Sequence, residues 1–386
     1  MRVFFCRYTL LLQPWMPIMR VLLSSSFLLL AMVPFATTKA APSTWHPPQG
    51  TTELPLWPQG TVIAPPKLKG PEQVSEVISE GSGEHWMMLQ NVAAPTLTVF
   101  PPKGPATGTA VMVVPGGGYR VLAMDLEGSE ICDWLTAQGI TCALLKYRVP
   151  ASGPNWDPEC NCRDFPEVPM ALQDAQRAMG LLRAQAERWS INPKRVGAIG
   201  FSAGGHVVAG LSTHALRSYA PVDAADEQPS RPDFAMVMYS GHLWAGHGKG
   251  LSLVRDITVD DKVPPTFIAQ ATDDRTDDVR ESLAYYRALA DAGVPVEMHL
   301  FARGGHAFGL RMKDAPVAAW PQLAERWMQD IGMLADRQLQ SRAMLGCLCE
   351  AARGLGSTVP AHLCRRPPAW RSPPPGSRRT VPTPSA

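Results

Sequence analysis

The chain of 386 residues is long enough for one large α/β domain or two smaller ones, and 45% hydrophobic against 18% charged residues is the balance of an ordinary soluble globule. Its formal charge of +2 hides an uneven distribution. Residues 1–41 hold four Lys/Arg and no acid, residues 337–386 hold eight Arg and one Glu, and the 24 basic and 33 acidic residues between them net −9, which excludes a nucleic-acid-binding role for the acidic middle.

In chain order, the first predicted element is a signal peptide over residues 1–41, possessing an extended N-terminus. From Met19 onward, Arg20 precedes an apolar run to Phe35 and small residues around Ala40, with cleavage expected after Thr38-Lys39-Ala40. Met16 or Met19 makes the more ordinary start. The apolar run is about 15 residues, short of the ~20 that span a bilayer, so no stable membrane span is expected after cleavage; a retained anchor is the alternative. Export to the periplasm or medium follows. Cys132, Cys142, Cys160 and Cys162 are an even number able to form disulfides there, with the pairing open. The two thiols of "ECNCRD" are too close for an easy mutual bond and lack the spacing of a zinc site.

Residues 50–336 read as one domain, alternating strands and helices as in a layered α/β fold. "TLTVF" and "GTAVMVVPG" are early strands, "EGSEICDWLTAQG" a helix closed by Gly139, and "ITCALLKYRV" a buried strand. Residues 149–167, dense in Pro, Gly and Asn, read as loop. "VPMALQDAQRAMGLLRAQAERW" places Ala171, Ala175, Ala178 and Leu182 on one helical face. "VGAIGF", "PDFAMVMYSG", "PPTFIAQA" and "PVEMHLFA" are further short strands; "DVRESLAYYRALADAG" and "PVAAWPQLAERWMQDIGML" are helices. The order predicts a mostly parallel central sheet with helices on both faces, with sites at the carboxyl ends of the strands. Residues 337–386, rich in Pro, Arg and Ser and without lysine, have a composition that cannot bury enough surface to order itself.

The chemistry concentrates in three places. Gly200-Phe201-Ser202-Ala203-Gly204 fits G-x-S-x-G between a strand and a helix, the context of a nucleophile elbow, although a serine there can also act as a helix cap. A hydroxyl needs a base, and the chain order serine, acid, histidine points to His306 in "FARGGHAFGL". His206, four residues past the serine, points away from the hydroxyl and reads as packing. After "TFIAQA", Asp273 and Asp274 are left to orient the imidazole, because Asp277 and Asp278 suit the cap and first turn of the next helix. In "VMVVPGGGYRVL", the N–H groups of Gly117 and Gly118, with that of Ala203, form the expected oxyanion hole. Asp125 and Glu127 read as solvated loop acids.

These segments resemble the α/β-hydrolase superfamily, and within it the esterase and carbohydrate-deacetylase-like group often labelled acetylxylan esterase, related to prolyl oligopeptidase-type hydrolases. "LWPQG", "PGGGYRVLAMDLEG", "LLKYRV", "ALQDAQRAM", "GFSAGGH", "PPTFIAQATDD" and "MHLFARGGHAFGL" carry the likeness over roughly residues 54–333. The resemblance implies Ser202 as nucleophile, His306 as base and Asp274 as acid. Two departures fall beside the acid: Gln270-Ala271 stands where the group often has His-Gly, and Arg275-Thr276-Asp277 where it has apolar residues or proline. The implied protein is an exported serine esterase for short acyl esters, such as acetyl groups on polysaccharide, needing no metal or organic cofactor. The alternatives are a serine peptidase of the prolyl oligopeptidase type, disfavoured for want of a preceding accessory domain, and an inactive hydrolase-fold binding protein.

Overall fold

Five runs of small and β-branched residues have every position buried, as strands covered on both faces must. In this computed structural model, which describes residues 44–335 except 62–63, 79–84, 151–154, 158–161, 165–168 and 247, they form the heart of an eight-stranded sheet. Numbered in chain order within that sheet, its strands are β1 (Thr52–Pro55), β2 (Thr96–Phe100), β3 (Ala110–Val114), β4 (Thr141–Lys146), β5 (Val196–Phe201), β6 (Ala235–Met238), β7 (Thr266–Ala271) and β8 (Val296–Phe301). They lie in the order β1-β2-β4-β3-β5-β6-β7-β8. The pairs β1/β2 and β2/β4 are antiparallel, and all the others are parallel. After β3 the chain steps to one side for β4 and crosses back to the other for β5. The crevice beyond the carboxyl ends of β3 and β5 is therefore the topological switch point, where such sheets hold their ligands.

Helices α1 (Glu130–Ala137), α2 (Pro169–Ala184), α3 (Ala203–Thr213), α4 (Val279–Asp291) and α5 (Trp320–Asp330) cover the sheet. The predicted face of α2, with Ala171, Ala175, Ala178 and Leu182, is buried. Gly139 adopts φ +78° just past α1, the left-handed conformation that glycine takes without steric cost. Cys132 of α1 and Cys142 of β4 form a disulfide, which settles one pairing that the sequence left open.

Three features were not legible beforehand. The edge strand β1 is short and ends in proline. A small antiparallel sheet joins Gln73–Ile78, His85–Gln90 and Val121–Ala123. Asn155–Asp157 and Cys162–Asp164 pair as an antiparallel hairpin inside the stretch expected to be loop. All are short segments without a strong apolar alternation, each stabilised by its pairing partner and not by a pattern of its own. The predicted signal peptide, the C-terminal tail and Cys160 lie outside the described residues. Among the described residues, no helix is long and apolar enough to cross a membrane.

Just past β4, Arg148 forms a fully buried ion pair with Asp174 of α2. Arg148 Nε donates to both carboxylate oxygens at 3.1 and 2.9 Å, and its backbone N–H donates to Oδ2 at 3.0 Å. Trp57 Nε1 donates to Oδ1 at 2.8 Å, and Arg148 Nη1 donates to the Ala64 carbonyl at 2.7 Å. The knot fastens the leading segment, the end of β4 and α2 to one another. Its residues lie in "LWPQG", "LLKYRV" and "ALQDAQRAM", which gives those stretches a structural reason. Asp174→Ala strands a guanidinium in the core and is expected to cost about 3–5 kcal/mol, read as a drop of roughly 6–20 °C in Tm. A loss of only a degree or two would show that the pair is solvated.

Candidate active site

At the end of β5 the chain reverses sharply into α3, with Ser202 held at φ 51°, ψ −122°. The flanking glycines are required by contact: a Cβ on Gly200 would run into the Gly204 carbonyl, and one on Gly204 into the carbonyls of Val114 and Pro115. Ser202 makes no side-chain cap bond to α3, so its hydroxyl is not spent on the helix. Instead Ser202 Oγ lies 3.0 Å from His306 Nε2, and His306 Nδ1 lies 2.8 Å from Asp274 Oδ2. Three residues from the ends of β5, β7 and β8 thus meet in one hydrogen-bonded chain. With the ring proton on Nδ1, His306 donates to Asp274 and accepts from Ser202.

The adjacent aspartates do different work. Asp274, its side chain fully buried, uses Oδ1 to accept from the Thr276 and Asp277 N–H groups at 2.8 and 3.0 Å, leaving Oδ2 for the imidazole. Asp273 Oδ1 accepts from the Gly304 and Gly305 N–H groups at 2.9 and 2.7 Å and so pins the loop that carries His306.

Two expectations about acidic residues need correction. The N-cap of α4 is Asp278, accepting from Arg280 N–H at 2.9 Å, and Asp277 is neither cap nor first-turn acid. It precedes the helix, its side chain is buried, and its Oδ2 lies 3.4 Å from Ser202 Oγ and 3.8 Å from His306 Nε2. The Asx turn made by Asp274 orients it inward, something that residue spacing alone does not reveal. Glu127 is likewise no solvated loop acid: it is 2% exposed, accepting from Gly116 N–H at 2.8 Å and from Tyr239 Oη at 2.9 Å. Burial pushes its carboxyl above the usual range, against the pull of the His306 charge and of those two donors. Asp125 is half-buried and accepts from Met87 N–H at 2.8 Å and from Arg311 Nη2 at 2.9 Å, a structural tie to the small sheet and the loop after β8.

The glycine run abuts Ser202. A Cβ on Gly116 would sit 2.8 Å from Ser202 Cβ, so this loop lies against the serine. Gly117 (φ +127°) and Gly118 (φ +59°) then turn the chain, Gly117 O accepting from the Arg120 and Val121 N–H groups at 3.1 and 3.2 Å. Ala203 opens α3 directly after Ser202. His206 does point away from the hydroxyl, as expected, but it is more than packing. Its Nδ1 lies 2.6 Å from Tyr119 Oη, and its Nε2 lies 3.4 Å from Asp256 Oδ2. The contact ties α3 to the residue that follows the glycine run. Only the position of Tyr119 beside the glycines hints at this in the sequence.

Burial works against protonating His306. The hydrogen bond to Asp274 and the negative charges of Asp277, Asp274 and Glu127 outweigh it and raise the imidazole above its ordinary value. Among the described residues, no group of three or more His, Cys, Asp or Glu side chains is arranged to hold a metal ion.

An eight-stranded, mostly parallel sheet with a serine elbow at its switch point defines the class: the chain has the α/β-hydrolase fold. Residues 166–310 match the family described as the alpha/beta hydrolase fold. An acetylxylan esterase of Xylanibacter ruminicola is 29% identical over an alignment of 258 residues that covers 61% of this chain and 47% of that protein. The endo-1,4-beta-xylanase B of Butyrivibrio fibrisolvens is 26% identical over 219 residues, 51% of this chain and 32% of that protein. The chain thus spans half or less of the length of these curated relatives. The crystal structure of an acetyl ester-xyloside bifunctional hydrolase from Caldicellulosiruptor lactoaceticus superposes with a TM-score of 0.55 at 27% identity, covering 74% of this chain and 97% of that one.

Proposed function

We propose that residues 50–336 are the catalytic unit of an exported serine esterase that releases short acyl groups, such as acetyl, from carbohydrate alcohols. The single observation that carries the reading is the relay Ser202–His306–Asp274 behind a strained, glycine-flanked turn. Ser202 Oγ attacks the ester carbonyl carbon while His306 Nε2 takes the hydroxyl proton, and Asp274 holds the ring and offsets the charge that forms on it. The carbonyl oxygen becomes an oxyanion, which the N–H groups of Gly117, Gly118 and Ala203 stabilise. As the C–O bond breaks, His306 returns the proton to the departing alcohol and leaves an acyl-serine. Water, deprotonated by His306, then attacks the acyl carbon, releases the acid and restores Ser202. The acetyl preference is supported by likeness to proteins named for acetylxylan and acetyl ester hydrolysis. Export is supported by the disulfide between Cys132 and Cys142, since such bonds persist in oxidising compartments.

The test is turnover by the full chain of p-nitrophenyl acetate, longer acyl esters, acetylated xylan and a prolyl peptide amide. Hydrolysis confined to the amide would favour the peptidase reading, and no turnover at all would favour a binding protein.

The pH dependence has a definite sign. The base must be neutral to accept the serine proton, and a raised imidazole stays protonated to higher pH. For p-nitrophenyl acetate, kcat/KM is therefore expected to rise through a limb above the histidine reference of about 6.5. A limb below that value, or a flat profile from pH 5 to 8, would contradict the assigned base.

A further inference from the structure

Resting on the esterase reading, we propose that Asp277 determines specificity for the alcohol half of the ester, accepting a hydrogen bond from a hydroxyl on the carbon next to the ester-bearing one. Substrates acylated on polyols are then favoured over simple alkyl esters, and alcohols with a carboxylate at that place are rejected.

The position of Asp277 is built rather than incidental. Its backbone N–H donates to Asp274 Oδ1 at 3.0 Å, and its carbonyl accepts from Gln270 Nε2 at 2.9 Å. Gly241 lies against the carboxylate: a Cβ there would come within 2.5–2.8 Å of all three carboxylate atoms. Glu281 of α4 holds that neighbouring loop by accepting from the Leu243 and Trp244 N–H groups at 2.7 and 2.6 Å. The helix does not need Asp277, because Asp278 is its cap.

The reaction dictates what passes this carboxylate. His306 Nε2 must hand its proton to the leaving oxygen, which therefore lies within hydrogen-bond reach of that nitrogen. Asp277 Oδ2 is 3.8 Å from the same nitrogen and 3.4 Å from Ser202 Oγ. An alcohol leaving along this flank brings a hydroxyl one carbon further on within range of Oδ2. Such a bond to a carboxylate is charge-assisted, and a buried acceptor discriminates strongly against an isostere that lacks the donor. A role in placing the hydrolytic water is distinguishable, because all acetyl esters share one acyl-enzyme and differ only in the step that releases the alcohol.

The experiment compares kcat/KM for 2-hydroxyethyl acetate, its isostere propyl acetate, acetoxyacetate and p-nitrophenyl acetate in the wild type, Asp277→Val and Asp277→Asn. The wild type is expected to prefer 2-hydroxyethyl acetate to propyl acetate by about 10- to 100-fold, the range for a hydrogen bond to a charged group. In Asp277→Val the ratio falls to near one or inverts. In Asp277→Asn, acetoxyacetate gains at least about tenfold relative to p-nitrophenyl acetate, because the like-charge repulsion is gone. Each comparison is made within one variant, so a uniform loss of rate cancels. A wild-type ratio near one overturns the proposal, as do variants that keep the wild-type preferences. If Asp277→Val has no turnover, the acetoxyacetate comparison in Asp277→Asn decides alone. If the wild type hydrolyses p-nitrophenyl acetate but shows no preference, only the role of Asp277 falls. If it hydrolyses no ester, the esterase reading falls and takes this proposal with it.

Discussion

Ser202→Ala is expected to lower ester turnover by a factor on the order of 10⁴–10⁶, the range for loss of a nucleophile from a relay of this kind. The melting temperature should stay within a degree or two of wild type. The reason lies in what the hydroxyl touches: it reaches His306 and the Asp277 carboxylate but makes no cap bond to α3, so its removal costs the fold little. The turn is kept by Gly200 and Gly204, and its φ of 51° is no harder for alanine than for serine. Activity should be measured on p-nitrophenyl acetate with circular dichroism on the same sample. Near-normal hydrolysis by a folded Ser202→Ala protein would end the nucleophile assignment.

The second large effect separates neighbouring aspartates. In Asp274→Asn the side-chain carbonyl stays with the N–H groups of Thr276 and Asp277, which turns the amide NH₂ toward His306 Nδ1. Two donors then face each other unless the ring moves its proton to Nε2, the tautomer that cannot accept from Ser202. The expected loss is about 10⁴ in kcat. Asp273→Asn keeps an acceptor for the Gly304 and Gly305 N–H groups, so its loss should stay within about tenfold, as for a weakened neutral hydrogen bond. Asp274→Asn should also pull the acid limb of the pH profile downward, because the Asp274 hydrogen bond and charge both raise the His306 imidazole. If Asp273→Asn proves the more damaging variant, the acid is misassigned by one residue.

Much of this geometry was legible because it is local. A serine between glycines at the joint of a buried strand and a small-residue helix can only be accommodated as a sharp turn, and the clashes at Gly200 and Gly204 arise within five residues and from the adjacent strand. The helical face of α2 and the fully apolar strands follow from periodicity and burial in the same way. His306 and the Asp273–Asp274 pair were recognisable as loops following strands, which a parallel sheet brings to one edge. The short edge strand β1 and the hairpin within 149–167 were not, since they are held by pairing partners and carry little apolar pattern of their own.

What the sequence by itself determined, then, is the order of the buried strands and the main helices, the serine turn, and the loops that carry His306 and Asp274. Tertiary structure decided which carboxylate does what. Asp273, Asp274, Asp277 and Asp278 are almost interchangeable in the sequence, yet one pins a loop, one holds the imidazole, one flanks the serine and one caps α4. Glu127 became a buried support for Gly116 instead of a solvated acid for the same reason. A carboxylate's role is set by the donors and charges within a few ångströms of it; Asp278 finds its donor two residues on, but the partners that distinguish Asp273, Asp274 and Asp277 come from β5 and from the loop after β8, tens of residues away along the chain.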